Sequence, residues 1–117
     1  MTRTSEGALA LITRANTLRE AEYLTQWNEN WNAYSLIGGH VENGESFREA
    51  CLREIVEELE CNAAAIEVAV YPYATLRFRE YSLAAKQETD YHWQAFVAIA
   101  SADLRQLRME RALFYPS

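Results

Sequence analysis

Three glutamates, Glu54, Glu57 and Glu58, stand at positions i, i+3 and i+4 of one segment. At helical spacing such side chains share a face, where each like-charged pair costs roughly 0.2–0.5 kcal/mol. A triad of this kind is commonly no more than a solvated acidic surface. It gains a use if a hard divalent cation sits among the carboxylates, because Mg²⁺ and Mn²⁺ take oxygen ligands. Gly38-Gly39, upstream, lets backbone come close to that face, and the Gly38 carbonyl offers a further oxygen. Arg53 adjoins the triad and is able to orient a carboxylate through a bidentate pair.

A helix must carry these residues. Ser46-Phe-Arg-Glu49 reads as a capping box that opens one, and Phe47, Cys51, Leu52, Ile55, Val56 and Leu59 make its apolar stripe. The pattern predicts a helix to about Glu60, with Asn62 able to end it. Val41 to Glu45 reads as a loop, with Gly44 as its positive-φ residue. Upstream, Ala8–Thr13, Glu22–Trp27 and Trp31–Ile37 read as strands, the last ending at Gly38-Gly39, with a turn at Asn28–Asn30. Downstream, Ile66–Ser82 is β-rich with a break near Pro72, Leu83–Asp90 reads as a polar loop, and Tyr91–Ala100 is an aromatic and β-branched strand. Ala102–Arg108 is ambiguous. Strands around one central helix imply an α/β (α+β) class with a mixed sheet.

The chain of 117 residues fits a single domain, residues 1–117. Its net charge of −6 argues against a nucleic-acid polymer as partner, which needs a basic face. It leaves room for a polyphosphate whose contact is mediated by a cation. No apolar run is long enough to span a bilayer, and the first residues lack the form of a secretory signal, so the expected location is cytoplasmic. Cys51 and Cys61 are ten positions apart on one helix, roughly 15 Å. That is too far for a disulfide, so both read as small hydrophobes.

Gly39, then His40 to Gly44, then Glu45, then seven residues, then Arg53-Glu54-Ile55-Val56-Glu57-Glu58 resembles the signature of the Nudix hydrolases (MutT-like) at every specified position to Glu58. The closing glycine of that signature is replaced by Glu60 and the final aliphatic by Cys61, which puts the usual tight turn after the helix in question. The resemblance implies a mixed sheet with the signature helix packed on it. It implies Mg²⁺, or Mn²⁺, held by Glu54, Glu57 and Glu58 with Gly38, while Glu45 and Arg53 hold the loop–helix–loop. It also implies a hydrolase that cleaves the phosphoanhydride bond of a nucleoside diphosphate linked to another group, or of a nucleoside triphosphate. Apart from the resemblance, Glu45 reads as an acid at a helix N-terminus, favoured by the dipole.

The signature leaves the general base open between a box glutamate such as Glu54 and a distal acid. Glu110 is the preferred distal acid, with Glu88 and Asp90 as alternatives. His40, Trp27, Arg77 and Arg79 are candidates for substrate contact, although each residue type has ordinary structural uses. Trp31, Tyr34, Tyr73, Phe78 and Trp93 are further aromatic candidates, more often core. The resemblance also implies a further helix after the last strand; the sequence stops at Phe114-Tyr-Pro-Ser117, where Pro116-Ser117 reads as the beginning of that helix, cut short. That would leave apolar sheet for a second copy to cover as a homodimer. The competing reading is a Nudix-fold module that binds a nucleotide or a protein without turnover.

Overall fold

The computed structural model of the chain describes residues 2–14, 22–28, 32–100 and 112–116. Its helix, α1 (Phe47–Leu59), starts where the capping box predicts. Ser46 Oγ accepts from the Glu49 amide at 3.0 Å, and Glu49 Oε1 accepts from the Ser46 amide at 3.0 Å. The Ser46 amide, and after it the Ser46 hydroxyl, hold the Glu49 carboxyl below the usual glutamate range. Ala50, Cys51, Ile55 and Leu59 form the buried stripe. Arg48 adds a second anchor, donating to the carbonyls of Val68 at 2.8 Å and Ala69 at 3.1 Å.

Eight strands are described: β1 (Arg3–Arg14), β2 (Glu22–Asn28), β3 (Ala33–Ser35), β4 (Ile37–His40), β5 (Ile66–Val68), β6 (Ala74–Ser82), β7 (Gln87–Ala100) and β8 (Ala112–Pro116). β1 is the hub. It pairs in parallel with β7 from Arg3↔Thr89 to Arg14↔Ala100, and antiparallel with β4 from Gly7↔His40 to Ala10↔Ile37. A parallel pair needs a long crossover, and α1 lies within it. Ala8, Ala10, Ile12, Phe96 and Ala98 meet the helix stripe in one buried cluster with Ile37, Ile66 and Val68. The alanines on both elements let α1 sit low on the sheet.

Several expectations from sequence are corrected. Gly38-Gly39 does not end a strand; both lie inside β4, and Trp31–Ile37 is not one continuous strand, since β3 and β4 are separated at Leu36. Leu83–Asp90 is not a loop throughout: only 83–86 turn, and Gln87–Asp90 already belong to β7. Pro116 does not begin a helix, because Ala112–Pro116 pairs antiparallel with β2, and Ser117 lies outside the described residues. Backbone pairing outweighs the helix-start reading of Pro116, which sits at the strand end where a missing N–H is tolerated. The turn expected at Asn28–Asn30 and the segment Ala102–Arg108 lie largely or wholly outside the described residues.

Glu60 is the most instructive correction. It does not abolish the closing turn but makes it, with φ 50° and ψ 43° and its amide donating to the Val56 carbonyl. Asn62 instead caps the following 3₁₀ turn, Ala63–Ala65. A non-glycine residue in the left-handed region costs roughly 1–2 kcal/mol. Glu60→Gly is therefore expected to raise the denaturant midpoint, by up to about 1 kcal/mol in stability once glycine's unfolded-state entropy is counted. A lower midpoint would show that the Glu60 side chain itself holds the turn.

Candidate active site

α1 presents Arg53 to the loop 41–45, and that guanidinium organises the site. Nε donates to Glu45 Oε2 at 2.7 Å and Nη2 to Glu45 Oε1 at 3.1 Å, a bidentate pair. Nη1 donates to Glu54 Oε1 at 2.9 Å and Glu57 Oε2 at 3.3 Å, and Nη2 reaches the His40 carbonyl at 3.0 Å. A guanidinium has five N–H groups, and here there is an acceptor for each. Glu42 adds a weaker ion pair at 3.4 Å. Glu45 Oε1 also accepts from the Glu42 amide at 2.9 Å, which folds the loop back on itself around Gly44 at φ 88°.

Charge follows from this geometry. The Arg53 hydrogen bond is the main reason that Glu45 titrates below the usual glutamate range, and the same contact pushes Arg53 further up. A carboxyl with a lowered folded pKa contributes stability that is complete above its unfolded value and is lost as pH falls through the folded one. The stability gap between wild type and Glu45→Gln is therefore expected to be constant above about pH 5 and to close on acidification. Denaturant titrations across that range measure it, and a gap that widens in acid would contradict the pairing.

Glu54 and Glu57 play different parts. The Glu54 side chain is 15% exposed and lies against Gly39, where any Cβ would collide with its carboxylate. Glu57 is 57% exposed. Glu58 also faces outward. Among the described residues, no three His, Cys, Asp or Glu side chains are grouped to hold a metal ion. Glu54 and Glu57 converge instead on one nitrogen, Arg53 Nη1.

The model of the NUDIX domain family matches residues 2–110. The chain belongs to the Nudix family. Family membership assigns it in general terms to the pyrophosphohydrolase enzymes. Solved structures share the Nudix fold at low identity. An Ap4A hydrolase from C. elegans is 17% identical with a TM-score of 0.71, over 97% of this chain and 80% of its own. A mutT/nudix family protein from Listeria innocua is 16% identical with a TM-score of 0.70, over 99% and 80%. A NUDIX family hydrolase from Clostridium perfringens is 15% identical with a TM-score of 0.70, over 96% and 81%. Comparison with curated protein sequences gives no match.

Other candidate residues of this Nudix chain fall in varied surroundings. Gly38 sits in β4 opposite Leu9, so close to β1 that a Cβ would meet the Ala8 carbonyl oxygen. His40 is exposed, its ring 5.4 Å from that of Trp93. Arg77 is exposed on β6 opposite His92. Arg79 pairs with Asp90 at 2.7 Å, which lowers the Asp90 pKa and engages both groups with each other. Glu88 is exposed on β7, not in a loop. Trp27 lies in β2 opposite Tyr34, while Trp31 and Glu110 lie outside the described residues. Cys51 is buried and its thiol is pushed up to about 12, which suits an inert core residue. Sequence reasoning did not find Arg48, Ser5 or Gly7 as supports. Their partners are backbone carbonyls or distant strands, which leave no local spacing to read.

Proposed function

We propose that this Nudix chain is a Mg²⁺-dependent hydrolase of a phosphoanhydride bond. The substrate is a nucleoside diphosphate linked to another group, or a nucleoside triphosphate. The observation that carries the reading is the Arg53 clamp. One guanidinium holds Glu45 and Glu54 while Glu57 stays more than half exposed beside them. Glu42, Glu45, Glu54 and Glu57 share that single cation, so the cluster keeps a surplus of negative charge made of hard oxygen donors. This donor chemistry fits a divalent cation. Glu54, Glu57 and Glu58 would hold it, with the Gly38 carbonyl as a further donor, once Glu54 and Glu57 yield oxygens now turned to Arg53. The ion, when bound, neutralises phosphoryl charge and eases ionisation of water. Arg53 and Glu45 keep the carboxylates oriented, and a carboxylate, either Glu54 of the box or a distal acid such as Glu110, takes the proton of the attacking water. The chain acts as a single domain in the cytoplasm, and no described helix is long and apolar enough to cross a membrane.

One observation favours a second reading, a nucleotide- or protein-binding module without turnover: Glu45, Glu54 and Glu57 converge on the Arg53 guanidinium, and no three described side chains are grouped to hold a metal ion. Glu60 no longer supports that reading, because the closing turn is made. A screen for Mg²⁺-dependent release of phosphate or pyrophosphate separates the two. It covers nucleotide sugars, ADP-ribose-like compounds, nucleoside triphosphates and dinucleoside polyphosphates, the last included because an Ap4A hydrolase shares the fold. Turnover of at least one class, abolished by a chelator, is the expected result. Cation binding by calorimetry with no turnover of any class would establish the binding module. The proposal also includes a homodimer through the sheet face that exposes Leu76, Phe78 and Ile99. A stable monomer in sedimentation would remove that part alone.

A further inference from the structure

Strand register brings three residues into one row: His40 on β4, Gly7 on β1 and Trp93 on β7. The middle residue has no side chain, and the Trp93 indole fills its place, so closely that a Cβ on Gly7 would collide with the six-membered ring. A strand glycine often marks such a close approach. Trp93 Nε1 donates to Ser5 Oγ at 3.2 Å, and Ser5 is itself buried. The ring is thus held against Gly7 and tied at its nitrogen. The indole and the His40 ring meet in a T-shaped contact at a centroid distance of 5.4 Å and an interplanar angle of 68°. His40 is the last residue of β4, and its carbonyl accepts from Arg53 Nη2 at 3.0 Å.

We propose that Trp93 is a positioning residue of the Nudix centre. Reaching across Gly7, it fixes His40 where the chain leaves the sheet, and through the His40 carbonyl it sets the Arg53 guanidinium. Arg53 in turn orients Glu45, Glu54 and Glu57. This inference rests on the hydrolase reading above. It gives the indole a different job from stacking on a substrate, since its nitrogen and the side over Gly7 are already engaged. It also explains why the contact is built from Ser5, Gly7 and Trp93 together, each useless to His40 without the other two.

Four proteins test it: wild type, Trp93→Leu, Gly7→Ala and the double variant. Trp93→Leu is expected to lower kcat about tenfold with KM within about twofold, since small misplacements of an orienting group act on the chemical step. In the same protein without substrate, the Arg53 Nε–H resonance is expected to shift or broaden, because its bond to Glu45 is no longer held in register. Gly7→Ala is expected to lower both kcat and Tm through the collision. Adding Trp93→Leu to Gly7→Ala removes the collision, so Tm returns while kcat stays low. That split separates positioning from folding. A wild-type kcat and an unmoved Arg53 signal in Trp93→Leu would overturn the proposal, as would a double variant that regains both Tm and kcat. A raised KM at unchanged kcat would also overturn it, by setting the indole against substrate. The Arg53 resonance needs no turnover, so it decides the positioning role even if the hydrolase reading fails.

Discussion

Glu57→Gln is expected to lower turnover at least about a hundredfold, the effect of losing a charged ligand of the proposed divalent cation. The substitution keeps size and shape and removes one negative charge. It also keeps an oxygen that is able to accept the 3.3 Å bond from Arg53 Nη1. Glu57 is exposed and lies outside the buried stripe of α1, so the fold is not expected to suffer. The loss should therefore appear in kcat and in Mg²⁺ affinity by calorimetry, with Tm close to wild type. Wild-type activity in this variant would end the assignment of Glu57 to the ion. Lost activity with unchanged cation affinity would move its role from ligand to proton handling.

Arg53→Ala is the second large expectation, and it differs in kind. It removes five donors at once and leaves Glu45 and Glu54, both largely covered, facing Glu42 and Glu57 without a cation. Uncompensated carboxylates repel and lose their hydrogen bonds. A fall in Tm of about 5 °C or more is expected, together with a loss of turnover of at least about a hundredfold. Arg53→Lys decides what matters. Lysine keeps the charge but is a single compact donor group, unable to grip Glu45 with two bonds while also reaching Glu54, Glu57 and the His40 carbonyl. Partial recovery of Tm with little recovery of kcat is the expected pattern. Full recovery of both would mean that charge alone, and not the fork geometry, organises the site.

The two variants weigh differently on the fold because the residues sit at different depths of one network. Glu57 is at its open end. Arg53 is its hub, and its reach to loop 41–45 and β4 gives it a structural part beside the orienting one proposed for it.

What the chain determines by itself is local. The capping box of Ser46 and Glu49, the buried stripe of α1 and the spacing of Glu54, Glu57 and Glu58 all lie within a few residues of one another. Helix geometry converts such spacing directly into shared faces and caps. The glycine turn at Gly44 and the break around Pro72 are legible for the same reason. Even the misread Glu60 shows the limit of local rules. The helix closes in the left-handed conformation that glycine favours, with the closing amide on the Val56 carbonyl, although the residue there is a glutamate.

Tertiary structure decided the rest. Trp93 and Ser5 are 88 positions apart, and only the parallel register of β1 with β7 makes them neighbours. Arg48 finds carbonyls at the end of β5, 20 residues on, and no side-chain pattern announces a backbone partner. Gln87–Asp90 joined β7 and Ala112–Pro116 joined β2 because strand pairing satisfies backbone groups whatever the local preference. The acidic triad of α1 was the sequence's own statement. Which carboxylate turns inward against Gly39, which stays open, and which guanidinium they share were settled by the sheet beneath and the loop beside them. Those contacts exist only after the chain has folded.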